Sequence, residues 1–261
     1  VSVSGGGDIA KYYISGAFYN EAGLFAVDNM KNYDTSLYYR RYNFRSNVDV
    51  QVFKYTKLNI NLATSFERKN EPGGDASSIW SYTLNTTPIA YPLFYSDGTL
   101  SGPADNDGAN PYVLLTQKGY REKFWNTATS TINLQQDFSN WITKGLTANL
   151  KFAFDAMNYQ HVARIKTPQQ WIASGRDEEG NLIKTETVVG EESLSLSKSS
   201  NSRRTSYLEA SINYARTFGR HSVGALFLYQ HSQKNYINTS ETDPDKFLPY
   251  RNQGIAGRVT Y

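Results

Sequence analysis

A strict two-residue alternation between Tyr42 and Glu67 constrains this chain more than any other feature of its sequence. Most even positions are apolar or aromatic and the odd positions are mainly polar, except across a short link at residues 53–57. Successive side chains of a strand point to opposite faces, so the pattern predicts a β-hairpin with one apolar and one polar face. Each arm has about eleven residues, which exceeds the usual globular strand and matches the ~9–11 tilted residues that cross a bilayer. The sequence therefore predicts a membrane-spanning hairpin.

The same alternation predicts further strands on both sides of the hairpin. We expect them at residues 1–4, 10–20, 124–138, 146–156, 203–217, 222–231 and 254–261, although Leu226 and Leu228 blur the phase of one of them. Short links and long polar connections follow the strands in turn, as periplasmic turns and extracellular loops do in outer-membrane barrels. The predicted fold class is all-β, an antiparallel transmembrane β-barrel segment of about nine strands, with residues 1–261 in one barrel domain.

The two ends of this barrel segment are assigned from the lengths of the connections. Gly6, Tyr55, Ile142 and Gly219 are predicted to face the periplasm, and Gly74, Asp107, Gly180 and Thr239 the outside.

The long connections carry their own local signals. Asp75 is a candidate N-cap for a short helix that ends before Pro88. Residues 167–172 place Pro168 at the first position of a candidate helical turn, and residues 179–181 form a candidate tight turn around Gly180.

Composition narrows the function classes. The formal charge is +3 without a basic stripe, so we set nucleic-acid binding aside. No run approaches 18 apolar residues, so no spanning helix is predicted, and the polar mean hydropathy of −0.57 suits a barrel whose lumen is wet. The 20 tyrosines, 13 phenylalanines and four tryptophans suit aromatic girdles at the two membrane interfaces. The candidates are Tyr12, Tyr55, Trp141 and Phe218 near short turns and Tyr19, Tyr42, Phe66 and Trp125 near long loops.

The sequence offers no catalytic, cofactor or metal site. His161, His221 and His231 lack ligand spacing, and no nucleophile–base motif occurs. Residues 105–108, Asp-Asn-Asp-Gly, have part of a calcium-loop pattern but lack its first and last ligands, so we expect a polar turn there. We therefore predict that the chain is not an enzyme.

Several stretches resemble the barrel of SusC/RagA-type TonB-dependent transporters. They are residues 12–15 with 20–23, residues 41–49, residues 95–99, Asn110-Pro111 and residues 248–261, of which the last is the most specific. The resemblance implies a 22-stranded outer-membrane barrel of Bacteroidetes-type bacteria that imports glycans or peptides. It also implies a SusD-like surface lipoprotein as a lid, contact with outer-membrane lipid, and a TonB complex contacted by parts of a longer polypeptide. No plug or TonB-contacting segment is recognisable within the sequence, so we expect it to be a piece of the barrel wall.

Five aromatic residues lie inside the long loops, where a membrane girdle does not explain them. They are Trp80, Tyr82, Tyr91, Tyr95 and Trp171, and we predict contacts with substrate or lid for them, with packing of the loops as the simpler alternative. The alternative for the whole chain is a soluble β-sandwich carbohydrate-binding module, which requires shorter strands and loops of mixed length at both ends.

Overall fold

A computed structural model describes residues 1–25, 33–87, 89–103, 109–238 and 244–261 of the chain. Its strands are β1 (Ser2–Gly6), β2 (Ala10–Ala22), β3 (Tyr38–Phe53), β4 (Thr56–Pro72), β5 (Gly119–Asp137), β6 (Leu146–Thr167), β7 (Gln170–Arg176), β8 (Leu182–Val188), β9 (Glu191–Phe218), β10 (His221–Asn238) and β11 (Tyr250–Thr260). Nine of them form one antiparallel sheet in the order β1-β2-β3-β4-β5-β6-β9-β10-β11, and β7 and β8 form a separate hairpin. The helical elements are α1 (Ala76–Asn85), a π-helical turn (Val113–Gln117) and a 3-10 turn (Pro244–Phe247). The predicted all-β fold class is confirmed.

The strand register separates the sheet into an apolar and a polar face, as the alternation predicts. One cross-strand row on the apolar face joins Val48, Ile60, Ile132, Phe152 and Leu208. On the other face, one residue along each strand, amides and carboxylates form a ladder. Asn59 Nδ2 donates to Asp49 Oδ1 at 2.7 Å, and Asn133 Nδ2 donates to Asn59 Oδ1 at 3.2 Å.

The apolar face of the sheet is uncovered. The largest fully buried side chains of the described residues lie in the long connections or at their base, not along the spanning strands: Ile79, Asn110, Thr35, Thr116, Pro72 and Ser101. A β-sandwich would cover the apolar face with a second sheet. The second sheet within the described ranges has two strands and lies at the loop end, so the sandwich alternative is not supported.

The strands are longer than predicted. β3 has 16 residues and β4 has 17, and β9 begins at Glu191 and runs for 28 residues. Many of the extra residues are polar or charged, such as Arg40, Arg68 and Lys69. Alternation in hydropathy ends where both faces of a strand become wet, although backbone pairing continues. The sequence pattern therefore located the apolar band and not the ends of the strands.

Local expectations had mixed outcomes. The helix capped by Asp75 and the turn at Gly180, whose φ is +86°, are confirmed. The helical turn at residues 167–172 is wrong, because β6 continues to Thr167 and β7 starts at Gln170. Pro168 has no backbone N–H to donate, so it interrupts the hydrogen-bond ladder between strands. A proline is therefore as compatible with a break between two strands as with the start of a helix.

The assigned ends can be compared with the sheet only in part. Gly6, Tyr55, Ile142 and Gly219 lie at the short-turn end, and Gly74 and Gly180 lie at the loop end. Asp107, Thr239, Pro88 and the candidate calcium turn at 105–108 lie outside the described residues.

Leu226 and Leu228 blur the phase of β10 because they lie on the polar face. The register places their neighbour Phe227 opposite Ile212, in the apolar face.

The strand phase agrees with the girdle prediction for some aromatic residues and contradicts it for others. Tyr42 and Phe66 are cross-strand partners on the apolar face, and the Phe18 ring lies 5.0 Å from that of Tyr42. Tyr19 and Trp125 occupy the opposite phase, so they lie on the polar face and cannot belong to a lipid-facing girdle. Proximity to a loop does not determine on which face of the sheet a side chain lies, whereas the phase of the strand does.

Candidate functional site at the loop end of the sheet

The 73–118 connection is closed at its base by backbone hydrogen bonds. Gly73 N donates to Gly119 O at 2.7 Å, and Gly74 N donates to Leu114 O at 3.0 Å. The connection between β2 and β3 is attached at the same level, because Tyr33 OH donates to Gln117 O at 3.0 Å. The long loop therefore leaves and rejoins the sheet at one fixed point.

Helix α1 begins at a well-formed cap. Asp75 Oδ2 accepts hydrogen bonds from Ser77 N at 3.1 Å and Ser78 N at 3.3 Å, and also from the Ser77 hydroxyl. These donors, led by the Ser77 hydroxyl, lower the pKa of the Asp75 carboxyl. The helix buries Ile79, which is 2% exposed, and leaves Trp80 48% exposed on the surface.

A buried polar cluster organises the middle of the loop around Asn110, which is 1% exposed. Its Nδ2 donates to Leu93 O at 3.2 Å, Ser101 O at 3.0 Å and Ser101 Oγ at 3.2 Å. Its Oδ1 accepts from Tyr112 N at 3.0 Å. Both ends of this amide are satisfied, so the cluster ties three separate loop segments together without a buried unpaired group.

The β7–β8 hairpin docks onto this loop through backbone and side-chain hydrogen bonds. Trp171 N donates to Leu100 O and Gly102 N donates to Trp171 O, both at 2.9 Å, and together they form a parallel bridge between Ser101 and Trp171. Ala173 N donates to Tyr95 OH at 2.9 Å. Two connections that are far apart in sequence therefore form one assembly, defined here as the outer-loop assembly: residues 73–87, 89–103, 109–118 and 168–190.

An ion pair closes the same junction. Lys184 Nζ donates to Asp97 Oδ2 and, at 3.2 Å, to Thr99 Oγ1, and it lies 5.6 Å from the centroid of the Trp171 ring. The Lys184 hydrogen bond, followed by those from Thr99, holds the pKa of the Asp97 carboxyl well below its ordinary value. Asp97 itself sits in a tight turn, where Gly98 adopts a φ of +81°.

The five aromatic residues singled out in the sequence have different surroundings. Tyr95 and Trp171 lie together at the junction of the two loops, and Tyr91 OH donates to Ala109 O at 3.0 Å. Trp80 and Tyr82 lie on α1, and the ring of Trp80 is 5.5 Å from that of Phe25. The structure thus brings Tyr95 and Trp171 to the same junction and places the other three elsewhere on the assembly.

Sequence reasoning missed Asn110 and Lys184, which hold this assembly together. The signal available for Asn110 was its position before Pro111 in a loop, where an amide commonly organises a turn. Lys184 carried no local signal because its partner, Asp97, is 87 residues away.

Two negative findings apply to the described part of the chain. No group of three or more His, Asp or Glu side chains could hold a metal ion there. None of its helices is long and apolar enough to cross a membrane.

Together, a single sheet with one uncovered apolar face and all its long connections at one end defines a section of outer-membrane β-barrel wall. No protein-family model matches the chain. Comparison with known proteins then shows what this barrel section is similar to. The chain is 24% identical over 245 residues to "TonB-dependent receptor P3" of Formosa agariphila, a match that covers 89% of this chain and 21% of that protein.

Solved structures of the RagAB peptide importer share the fold. The "open-open" state aligns with a TM-score of 0.56 at 15% identity, and the "closed-closed" state with a TM-score of 0.55 at 14% identity. Each alignment covers 99% of this chain and 28% of the solved chain. The resemblance to a barrel fragment of SusC/RagA-type TonB-dependent transporters is therefore confirmed, and the chain spans 21% to 28% of the length of the proteins it resembles.

Proposed function

We propose that this chain forms part of the barrel wall and outer mouth of an outer-membrane importer that moves glycans or peptides with a SusD-like lipoprotein as its lid. The observation that carries the proposal is the outer-loop assembly, because two long connections from different hairpins fold together at the loop end of the sheet. Loops of this length are uncommon in compact domains unless they are functional or disordered, and this one has a buried polar cluster. Similarity to a TonB-dependent receptor supports energy delivery by TonB through other parts of the protein.

The exposed face of α1 is the proposed contact for the lid. Trp80 is 48% exposed and Leu84, one turn later, is 78% exposed. Residues spaced i and i+4 lie on one helical face, so the two form an apolar surface. Tyr82, two residues from each, lies on a different side of the helix. Aromatic side chains on such surfaces commonly anchor protein partners. Tyr91, Tyr95 and Trp171 contribute by holding the loops in position for lid or solute.

A loop replacement in the full-length transporter tests this proposal. Residues 75–107 are exchanged for a Gly-Ser linker, and the matched control exchanges the exposed turn at residues 177–181 in the same assembly. No spanning strand is changed, so heat-modifiable migration of the barrel should be normal in both variants. Nutrient uptake and co-purification of the lid should fall only in the first.

A point variant refines the same experiment. Trp80→Ser combined with Leu84→Ser should weaken co-purification of the lid and should reduce nutrient uptake less than the loop replacement does. Ser81→Ala on the same helix serves as the control. Normal assembly with unchanged uptake and unchanged lid association in the loop replacement would refute the proposal.

A further inference from the structure

The polar face of the sheet carries a group of aromatic side chains that neither a membrane girdle nor a loop explains. We define the aromatic strip as Tyr19, Tyr39, Glu67, Trp125 and Tyr159, which lie on the adjacent strands β2 to β6. The register runs in one row from Tyr19 through Arg41, Glu67 and Trp125 to Tyr159, and Tyr39 lies one step closer to the loops. Girdle residues such as Phe66 lie on the opposite face.

The rings of the strip form two pairs with Glu67 between them. Trp125 and Tyr159 are 5.2 Å apart between ring centroids, and Tyr19 and Tyr39 are 6.0 Å apart. Tyr39 OH donates to Glu67 Oε2 at 2.8 Å, so the carboxylate is held in place between the rings. Two pairs of flat rings therefore flank a carboxylate that a hydrogen bond holds in place.

A groove of about 510 Å³ adjoins the strip on the same face. Its lining includes Arg41, which lies in the row of Glu67 and Trp125. It also includes Asn43, Ser65 and Thr127, which lie one row further from the loops. Arg41 Nε lies 3.6 Å from Glu67 Oε1 and donates to Asn43 Oδ1 at 2.9 Å. The groove thus presents hydroxyl, amide and guanidinium groups beside a row of rings.

We propose that the aromatic strip and this groove form a binding subsite for sugar rings on the lumen wall. A pyranose has an apolar C–H face that can stack on Trp125 or Tyr159, and hydroxyl edges that can exchange hydrogen bonds with the groove side chains. This inference rests on the proposed import function and assigns the solute class that the function leaves open.

The strand pairing argues against a peptide at this place. A peptide commonly binds a sheet by adding a strand to an open edge, and β2 to β6 are each paired on both sides. Arg41 and Glu67 lie close enough to offset each other's charge, so the strip has no single-sign centre for a peptide terminus. Sugar hydroxyls require no such charge.

The test first identifies the nutrient and then changes the strip in the full-length transporter. A strain without the transporter is grown on single nutrients: defined neutral and acidic oligosaccharides, or a protein digest. The nutrient whose uptake is lost becomes the probe. Loss of no nutrient would refute the import function itself, whereas loss of the digest alone would refute only the sugar subsite.

The probe is then used to measure uptake by Trp125→Leu and Tyr159→Leu variants. Each should raise the half-saturation concentration by roughly twofold to tenfold, which is the range expected for losing one aromatic contact. Trp125→Phe, which keeps a flat ring, should restore most of the affinity. Trp141→Leu is the control, since Trp141 lies in a turn at the far end and is 66% exposed.

Barrel levels are followed by heat-modifiable migration in every variant. Normal half-saturation with leucine at both positions, or a loss of uptake that only follows a loss of folded barrel, would overturn the proposal.

Discussion

The assignment of the two sheet faces makes a quantitative prediction at Leu62. This residue lies on the apolar face, is 46% exposed, and is four residues from both Leu58 and Phe66, the ends of the apolar run in β4. At about 3.3 Å per residue and a tilt of about 40°, each end is ~10 Å from Leu62 along the membrane normal. An apolar band ~25 Å tall therefore places Leu62 near its midplane.

An arginine at this depth on the lipid face costs roughly 2–4 kcal/mol of folding free energy. Leu62→Arg should then lower the folding equilibrium constant about 30-fold to 700-fold. Asn61→Arg is the matched variant, one residue away on the polar face, where its neighbours are Asn47 and Thr131. Its cost should stay within about 1 kcal/mol because the guanidinium remains in water.

The assay is urea unfolding of the full-length protein in lipid vesicles, followed by tryptophan fluorescence. The difference in unfolding free energy between the two variants is the measured quantity. Equal destabilisation by both variants would mean that the apolar face packs against protein, as in a sandwich, and would refute the face assignment.

Three further predictions concern the outer-loop assembly. Asn110→Ala removes three donated hydrogen bonds and should make the loop more sensitive to protease than the wild type, while barrel migration stays normal. Asn110→Asp should be nearly as sensitive as Asn110→Ala because a carboxylate lacks the amide donor. Lys184→Ala should release β7–β8 from the junction and so speed backbone hydrogen exchange at residues 170–176. Unchanged exchange there would mean that the ion pair does not hold the hairpin in place. The folded-state pKa of Asp97 lies below its ordinary 3.8, so the ion pair stabilises the junction at neutral pH and this stabilisation is lost only as pH falls below 3.8. Hydrogen exchange at the junction, corrected for intrinsic rates, should therefore be constant from pH 7 to pH 5.

The two faces of the hairpin were predictable from sequence because one physical condition controls them. With lipid on one side and water on the other, a shift of one residue would reverse every side chain, so the alternation of residues 42–67 determines which residues share a face, as the paired Val48 and Ile60 do. The same condition does not hold near the loops, where Arg40 and Arg68 lie in strands that are wet on both faces. Strand ends were therefore misplaced there.

The candidate site was less predictable because its contacts are non-local. The cap at Asp75 could be predicted, since its hydrogen-bond partners are two and three residues away. The pairing of Asp97 with Lys184 and of Ser101 with Trp171 depends on how two loops meet in space. Trp125 illustrates a different limit, because its residue type suits both a girdle and a lumen, and only its phase in β5 separates them.

The placement of the long connections outside the cell is the central claim, and thiol labelling on intact cells tests it most directly. The chain has no cysteine, so single substitutions can be made in the full-length transporter without background from this segment. Glu179→Cys lies in the β7–β8 turn and Ile142→Cys in the short turn between β5 and β6. An impermeant maleimide should label the first on intact cells and the second only after the outer membrane is opened. Labelling of Ile142→Cys with silence at Glu179→Cys would invert the barrel and contradict the account.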